Sequence, residues 1–429
     1  MTDSTSSRRF GAYGRVLRRP VLRRVLPGLA VSALGDGMSM VAVAWLAVQI
    51  APPGSEGVWT GLAVAAYSLP ATLGAAVFGR FVRGFSGARL VAVDATLRTF
   101  SLGTIAVLAV AGALVPAGYV ALLAVSSLLH AWGHAGTYTL IAEQLPDEDR
   151  VAGNALVSTF TQASFVVGPA LAGGMTALAG PGWVIGLDAL SFAVLAASCW
   201  PVRHAAAAVP AAAPGESAAG GWRTILRQPR LLGLIAVTCV FFFLYGPVEV
   251  ALPIHVAAEL HGSPGLLGAF WTVFGIGAVI GGLGAGLLRS RPLWPVVVLV
   301  IIGWGAALLP FAISGAVWPA LLGFAAGGVI YGPFTAICTA LFQRSCEPHV
   351  LSRVLATRTA LTTPSAALGM LIGGPVVSAI GGRSTLVASG LLTILLGVLV
   401  AAVVYLARSD RRPGSESRSA GNRPAAAAV

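Results

Sequence analysis

Long apolar runs broken by short polar stretches dominate this chain. A helix that crosses a bilayer needs about 20 mostly apolar residues. Twelve such runs can be cut, at 26–50, 58–79, 90–114, 117–145, 153–178, 183–201, 231–254, 263–288, 293–313, 317–343, 355–380 and 384–407. They are too long for barrel strands and lack a period of two, so they predict transmembrane helices. The pattern stops at 202–230, where Ala205 to Gly221 is a low-complexity Ala/Pro/Gly stretch. The expected organisation is a basic N-terminus at 1–25, a six-helix bundle at 26–201, a linker at 202–230, a second bundle at 231–407 and a tail at 408–429.

Composition removes the soluble alternatives. Of 429 residues, 56% are hydrophobic and 10% are charged, with a mean hydropathy of +0.85. A soluble domain carries about 25% charged residues, and disorder needs low hydrophobicity. The net charge of +12 comes from 27 Arg, no Lys and 15 acids. If 1–25 is cytoplasmic, 24 of the 27 Arg lie on the cytoplasmic side, Arg98 and Arg358 lie inside spans, and only Arg383 lies outside. Cytoplasmic loops favour basic residues. The charge therefore reports topology and a match to anionic lipid, not nucleic acid. Both termini are expected in the cytoplasm. Arg without Lys, beside abundant Ala, Gly and Pro, points to a bacterial inner membrane.

Without Lys there is no G-x-x-x-x-G-K-[ST] phosphate loop, so ATP hydrolysis of that kind is excluded. No enzyme chemistry and no cofactor are expected. The four Cys have no CxxC spacing and predict neither a disulfide nor a metal site.

The two halves resemble each other. A shift of 201 residues carries Gly168, Gly173 and Gly180 onto Gly369, Gly374 and Gly381, and a shift near 205 pairs Gly28-Leu29 with Gly233-Leu234. Parallel six-span repeats are a known transporter architecture.

Polar residues inside the spans mark the candidate chemistry, because a charge at the bilayer centre costs about 2.5–3.5 kcal/mol. Five acids qualify: Asp36, Asp94, Glu143, Asp188 and Glu249. Asp36 lies about 15 Å into span 1 at 1.5 Å per residue, on one face with Ser32 and Ser39. Span 4 aligns Ser127, His130, His134 and Tyr138, span 7 aligns Thr238, Phe242, Tyr245 and Glu249, and span 10 aligns Tyr331, Thr335, Cys338 and Phe342. Spans 1, 4, 7 and 10 thus each carry a polar or aromatic stripe, as expected if they line a central cavity. The HxxxH of span 4 is a weak metal signal without a third ligand, and no metal is expected. Asp36, Glu249, His130 and His134 are the candidates for handling protons, with Asp36 first because it is nearest the midplane. Asp94 and Arg98, one turn apart with the acid first, predict a structural pair at the cytoplasmic gate. Glu143 and Arg358 are near cytoplasmic ends, and Asp188 is expected near the outer end of span 6 in a structural role.

Four stretches together resemble one family. They are LGDGMSMVAVAWLAVQ in span 1, VDATLR in span 3, LPDEDRVAGNALVSTFTQASFVVGPALAGG across loop 4–5 and span 5, and LDALSF in span 6. The chain is identified as resembling the major facilitator superfamily, nearest its 12-span drug and siderophore exporters of the macrolide-efflux type. The resemblance implies an all-α fold of 12 transmembrane helices in two six-helix bundles related by a pseudo-two-fold repeat, with a central cavity and alternating access. In place of the family's G-x-x-x-D-R-x-G-R-R loop the chain has GAAVFGRFVRGFSGAR, keeping Arg80, Arg83 and Arg89 but with Gly79 at the Asp position. The antiporter signature G-P-x-x-G-G is matched by Gly168-Pro169 and Gly173-Gly174 with one extra residue between.

The resulting expectation is a proton-driven exporter of a hydrophobic or amphipathic small molecule, acting as a monomer. Its partners would be substrate, protons and lipid, with no nucleic acid. Two alternatives stay open: an importer of a small metabolite in the same fold, and a non-transporting membrane sensor or scaffold.

Overall fold

The computed structural model describes residues 11, 13–82, 84–204, 222, 225–288, 291–313, 317–346 and 348–409. Among these the long elements are all helices. The first half holds α1 (Pro20–Ile50), α2 (Glu56–Ser68), α3 (Pro70–Val82), α4 (Gly87–Val110), α5 (Pro116–Ser127), α6 (His130–Gln144), α7 (Asp147–Ala179) and α8 (Pro181–Cys199). The second holds α9 (Pro229–Ile254), α10 (Pro264–Gly284), α11 (Leu293–Ala307), α12 (Val317–Tyr331), α13 (Phe334–Ser345), α14 (Pro348–Ile380) and α15 (Gly382–Ser409). Among the described residues, eleven segments are long and apolar enough to cross a membrane. The twelfth crossing is α5 with α6, whose pieces of 12 and 15 residues are each too short alone.

Spans 2, 4 and 10 are therefore broken rods, for readable reasons. Span 2 breaks at Leu69 because Pro70 offers no N–H to continue the ladder. Span 4 breaks after Ser126 and Ser127, whose hydroxyls donate back to the Leu123 and Ala124 carbonyls. Back-bonding of that kind bends helices. Span 10 breaks at Gly332-Pro333. The breaks in spans 4 and 10 occupy equivalent places in the two halves.

The three repeated glycine pairs do the same work in each half. Gly168 of α7 packs on Gly37 of α1, as Gly369 of α14 packs on Gly246 of α9. Gly173 meets Gly265 and Gly268 of α10, and Gly374 meets Gly57 and Val58 of α2. Gly180 (φ +90°) and Gly381 (φ +83°) end their helices in the conformation glycine alone adopts cheaply. In each half the first glycine seats a helix crossing, the second forms a seam to the opposite half, and the third turns the chain. A Cβ on Gly374 would sit 2.7 Å from the Gly57 carbonyl oxygen, and one on Gly173 would sit 3.0 Å from that of Pro264. Both seams lie within about two turns of the helix ends opposite the chain termini, at 1.5 Å per residue.

Large apolar side chains remain on the outside, such as Phe100 at 71%, Leu178 at 91% and Leu283 at 81% exposed. This is the surface a lipid-facing helix needs. At the termini end, Arg15 grips Asp149 at the start of α7, with Nη2 2.6 Å from Oδ1 and Nε 3.1 Å from both oxygens. That hydrogen bond, followed by the carboxylate's charge, holds the Arg15 guanidinium above its ordinary value.

Candidate functional site

The polar residues of the first half converge on one guanidinium. Arg98, on α4, has a side chain only 3% exposed. Its Nη2 donates to Asp36 Oδ1 and to the Tyr67 hydroxyl, each at 2.6 Å. The Tyr67 hydroxyl in turn donates to Asp36 Oδ1 at 2.9 Å. Nη1 lies 3.0 Å from His130 Nδ1 and 3.4 Å from Asp36 Oδ2. A guanidinium can only donate, so His130 Nδ1 is the acceptor and the ring proton sits on Nε2. The face of Phe192, on α8, lies 4.1 Å from Arg98 Cζ. Helices α1, α2, α4, α6 and α8 thus meet at this one charge.

The expected Asp94–Arg98 pair is not formed. Arg98 turns away from Asp94 toward α1, α2 and α6, where the Asp36 carboxylate and the Tyr67 hydroxyl take Nη2 and Asp36 and His130 take Nη1. Asp94 lies instead against Gly133 of α6, where a Cβ would collide with its carboxyl group. Its Oδ1 is buried without a hydrogen-bond partner, and so is Arg98 Nε. Asp188 also needs correcting. It lies about 10 Å into α8 rather than at its end, level with α1's centre. It is fully buried, accepts hydrogen bonds from Ser39 of α1 and Ser191, and fills the notch left by Gly35.

A cavity of about 110 Å³ opens beside this cluster, lined by Ser32, Asp36, Asp94, Arg98, His130, Gly133, His134 and Tyr138 with apolar neighbours that include Phe160 and Phe192. His134 stands 6.5 Å from the His130 ring and 5.1 Å from that of Tyr138, so the two imidazoles and the phenol form a row along α6. Ser32 turns its hydroxyl back to the Leu29 carbonyl. Two other residues of the predicted stripes face elsewhere. Ser39 holds Asp188, and Ser127 donates to the Ala66 carbonyl at 2.9 Å, tying α5 to α2.

The second half carries the aromatic counterpart. Tyr245 and Tyr331 stack at 6.2 Å, and Phe241, Phe242, Phe274, Trp304 and Phe334 continue the cluster. Half-buried Glu249 lies one turn beyond Tyr245 on α9. Thr238 is buried and bonded to its own helix, Thr335 is exposed, and Phe342 is buried with Arg358 Cζ 5.5 Å from its ring centroid. Arg358 also donates to the Thr339 hydroxyl. Of the gate residues, Arg89 stacks on Phe85 at 3.7 Å. Arg83 and the side chain of Arg80 lie outside the described residues. Pro169 and Gly173 form the α7–α10 seam, while Gly174 faces open space.

Tyr67 and Phe192 are the site residues that periodicity missed. Tyr67 had one signal, a hydroxyl-bearing aromatic one turn before the Pro70 break. Phe192 closes the LDALSF stretch that carries the resemblance, but nothing in that stretch says that Arg98 lies on its face.

The Major Facilitator Superfamily profile matches residues 25–255 and again 248–428. The chain is 26% identical over 408 residues to the multidrug efflux pump Tap of Mycobacterium tuberculosis, covering 91% of this chain and 95% of that one. To Tap of Mycolicibacterium fortuitum it is 27% identical over 409 residues, covering 91% and 96%. The crystal structure of the nucleoside transporter NupG superposes with a TM-score of 0.67 at 13% identity, over 90% of this chain and 99% of that one.

Proposed function

The chain belongs to the major facilitator superfamily of transporters, and on that premise we propose that it is a proton-driven exporter of hydrophobic or amphipathic small molecules. The observation that carries this is the Asp36–Arg98 ion pair in the wall of a cavity inside the membrane. Embedded charges are expensive and mark transport pathways. The efflux direction rests on the drug-pump relatives, which match over nearly their whole length.

In this reading the cycle is alternating access. The symmetry-related glycine seams act as the hinge line and seal one end. With the termini and the linker 202–230 in the cytoplasm, as the Arg distribution predicts, the sealed end is the outer one and the cavity faces inward. The bundles at 26–201 and 231–407 rock about the seams. Asp36, His130 and His134, gathered around Arg98, belong to the proton-coupling cluster of the first half. The aromatic face of Phe242, Tyr245 and Tyr331, with Glu249, receives the substrate's apolar and cationic parts in the second. Apolar, aromatic surface suits a lipophilic substrate better than a polar metabolite.

The test is accumulation of a panel of lipophilic compounds in cells with and without the protein, followed by transport in proteoliposomes under an imposed pH gradient. Asp36→Asn is expected to abolish gradient-driven efflux while some binding and downhill exchange persist. Efflux in that variant that still follows the gradient would remove Asp36 from the role.

A further inference from the structure

We propose that Asp94 is the group that carries the transported proton, and that Arg98 changes partner from Asp36 to Asp94 when that proton leaves. This rests on the proton-driven reading above, and names the residue and the switch within it.

The argument begins from unmet hydrogen bonds. Asp94 is 7% exposed, its Oδ1 is buried without a partner, and its carboxyl group is pressed against the backbone at Gly133. An ionised carboxylate in that position lacks the donors that normally repay its burial. A protonated carboxyl there is neutral. Arg98 Nε, the nitrogen not engaged with α1, is likewise buried and unpartnered. Asp94 and Arg98 are i and i+4 with the acid N-terminal, the favoured spacing for a helix ion pair. One side-chain rotation therefore exchanges one ion pair for another without moving a helix.

Charge balance supports the exchange. The titratable groups facing Asp94 and Arg98 from the packed helices are Asp36 of α1, Tyr67 of α2, His130 and His134 of α6, and Asp188 of α8. Asp188 takes its hydrogen bonds from Ser39 and Ser191 and stands apart from the exchange. In the observed state Asp36⁻ neutralises Arg98⁺ and Asp94 holds a proton. When the Asp94 O–H bond breaks and the proton passes to cavity water, Arg98⁺ moves to Asp94⁻ and the Asp36 carboxylate is left facing the cavity. A cationic substrate then takes the place of the guanidinium at Asp36. The site is neutral before and after, one proton leaves as one cation binds, and the reverse at the other side releases the substrate. The His130 Nδ1 lone pair, now held by Arg98, is freed in the same motion.

Infrared difference spectroscopy on the purified protein reads the proton directly. A protonated-carboxyl band that disappears on alkalinisation is expected in the wild type, shifted to disappear at lower pH in Asp36→Asn, where Arg98 is left with Asp94 as its counter-ion, and lost in Asp94→Asn. Asp94→Glu keeps a titratable group and is expected to move the band and the midpoint of the transport pH profile. Ethidium transport in proteoliposomes gives the functional arm. One coupled proton yields about tenfold accumulation per pH unit, which is expected to fall to no accumulation in Asp94→Asn. If the wild type follows the pH gradient and Asp94→Asn follows it equally, the assignment to Asp94 is overturned and proton coupling stands. If the wild type ignores the gradient, coupling itself fails. A wild-type spectrum without the band, or a band untouched by either Asp94 variant, overturns the assignment whether or not Asp94→Asn folds.

Discussion

Arg98 reaches from α4 to Asp36 on α1 at 2.6 Å and leaves Asp94, one turn away on its own helix, without a hydrogen bond to it. The pair is asymmetric: the Arg98 side chain is 3% exposed and that of Asp36 is 36% exposed. Removing one member of a buried pair costs about 3–5 kcal/mol. The loss here is expected at or below the low end, because Asp36 is partly solvated and Asp94 is within Arg98's reach. Asp36→Asn is expected to lower the thermal midpoint in detergent more than Glu249→Gln does. Equal midpoints would show that the pair does not hold α1 to α4.

The seams give a second expectation. Gly374 packs on the backbone of Gly57 and Val58, so Gly374→Leu must push α14 away from α2. The sealed end is then expected to open, raising the labelling of cysteines placed near residues 57–61 and slowing transport. Labelling and transport that match the parent protein would mean that this seam does not seal that end.

The topology rests on 24 of 27 arginines. In a background free of the four native cysteines, single cysteines in residues 1–10, 205–221 and 411–429 are expected to react with an impermeant reagent only from the cytoplasmic side. Labelling of the linker from outside would overturn the arrangement.

The Arg15–Asp149 pair ties the segment before α1 to the start of α7. Arg15 is a base held above its ordinary value, so its contribution is fully present below the unfolded value and is lost only as pH rises through the higher folded one. Between about pH 5 and 9 the contact is therefore expected to be insensitive to pH and sensitive to salt. Arg15→Gln is expected to speed protease cleavage near residues 11–19, and high salt to do the same in the wild type. Unchanged cleavage in both would show that the pair does not restrain the segment.

Much of the site was legible one residue at a time. Asp36, His130, His134 and Tyr138 are rare polar residues in apolar runs, and the cost of burying them identifies them without coordinates. Their partners were not legible. The i, i+4 rule paired Asp94 with Arg98 because it knows only one helix, whereas the guanidinium chose between helices. Asp188 was placed by its distance from a span end, and that distance shifted because α8 begins at Pro181 and crosses α1 at Gly35.

The sequence alone determined that this is a membrane protein of twelve crossings in two repeated halves. Hydrophobic length, arginine asymmetry and glycine spacing are properties of the linear chain, and a bilayer filters them one segment at a time. Tertiary structure alone decided what the repeated glycines and the buried charges do. The glycines became two crossings, two seams and two turns only when a facing backbone arrived. Arg98 found Asp36, Tyr67 and His130 only when four helices closed around it. Hydrogen bonds and ion pairs act over about 3 Å. Between residues 31 to 62 positions apart, that proximity is a result of packing and has no signature in sequence order.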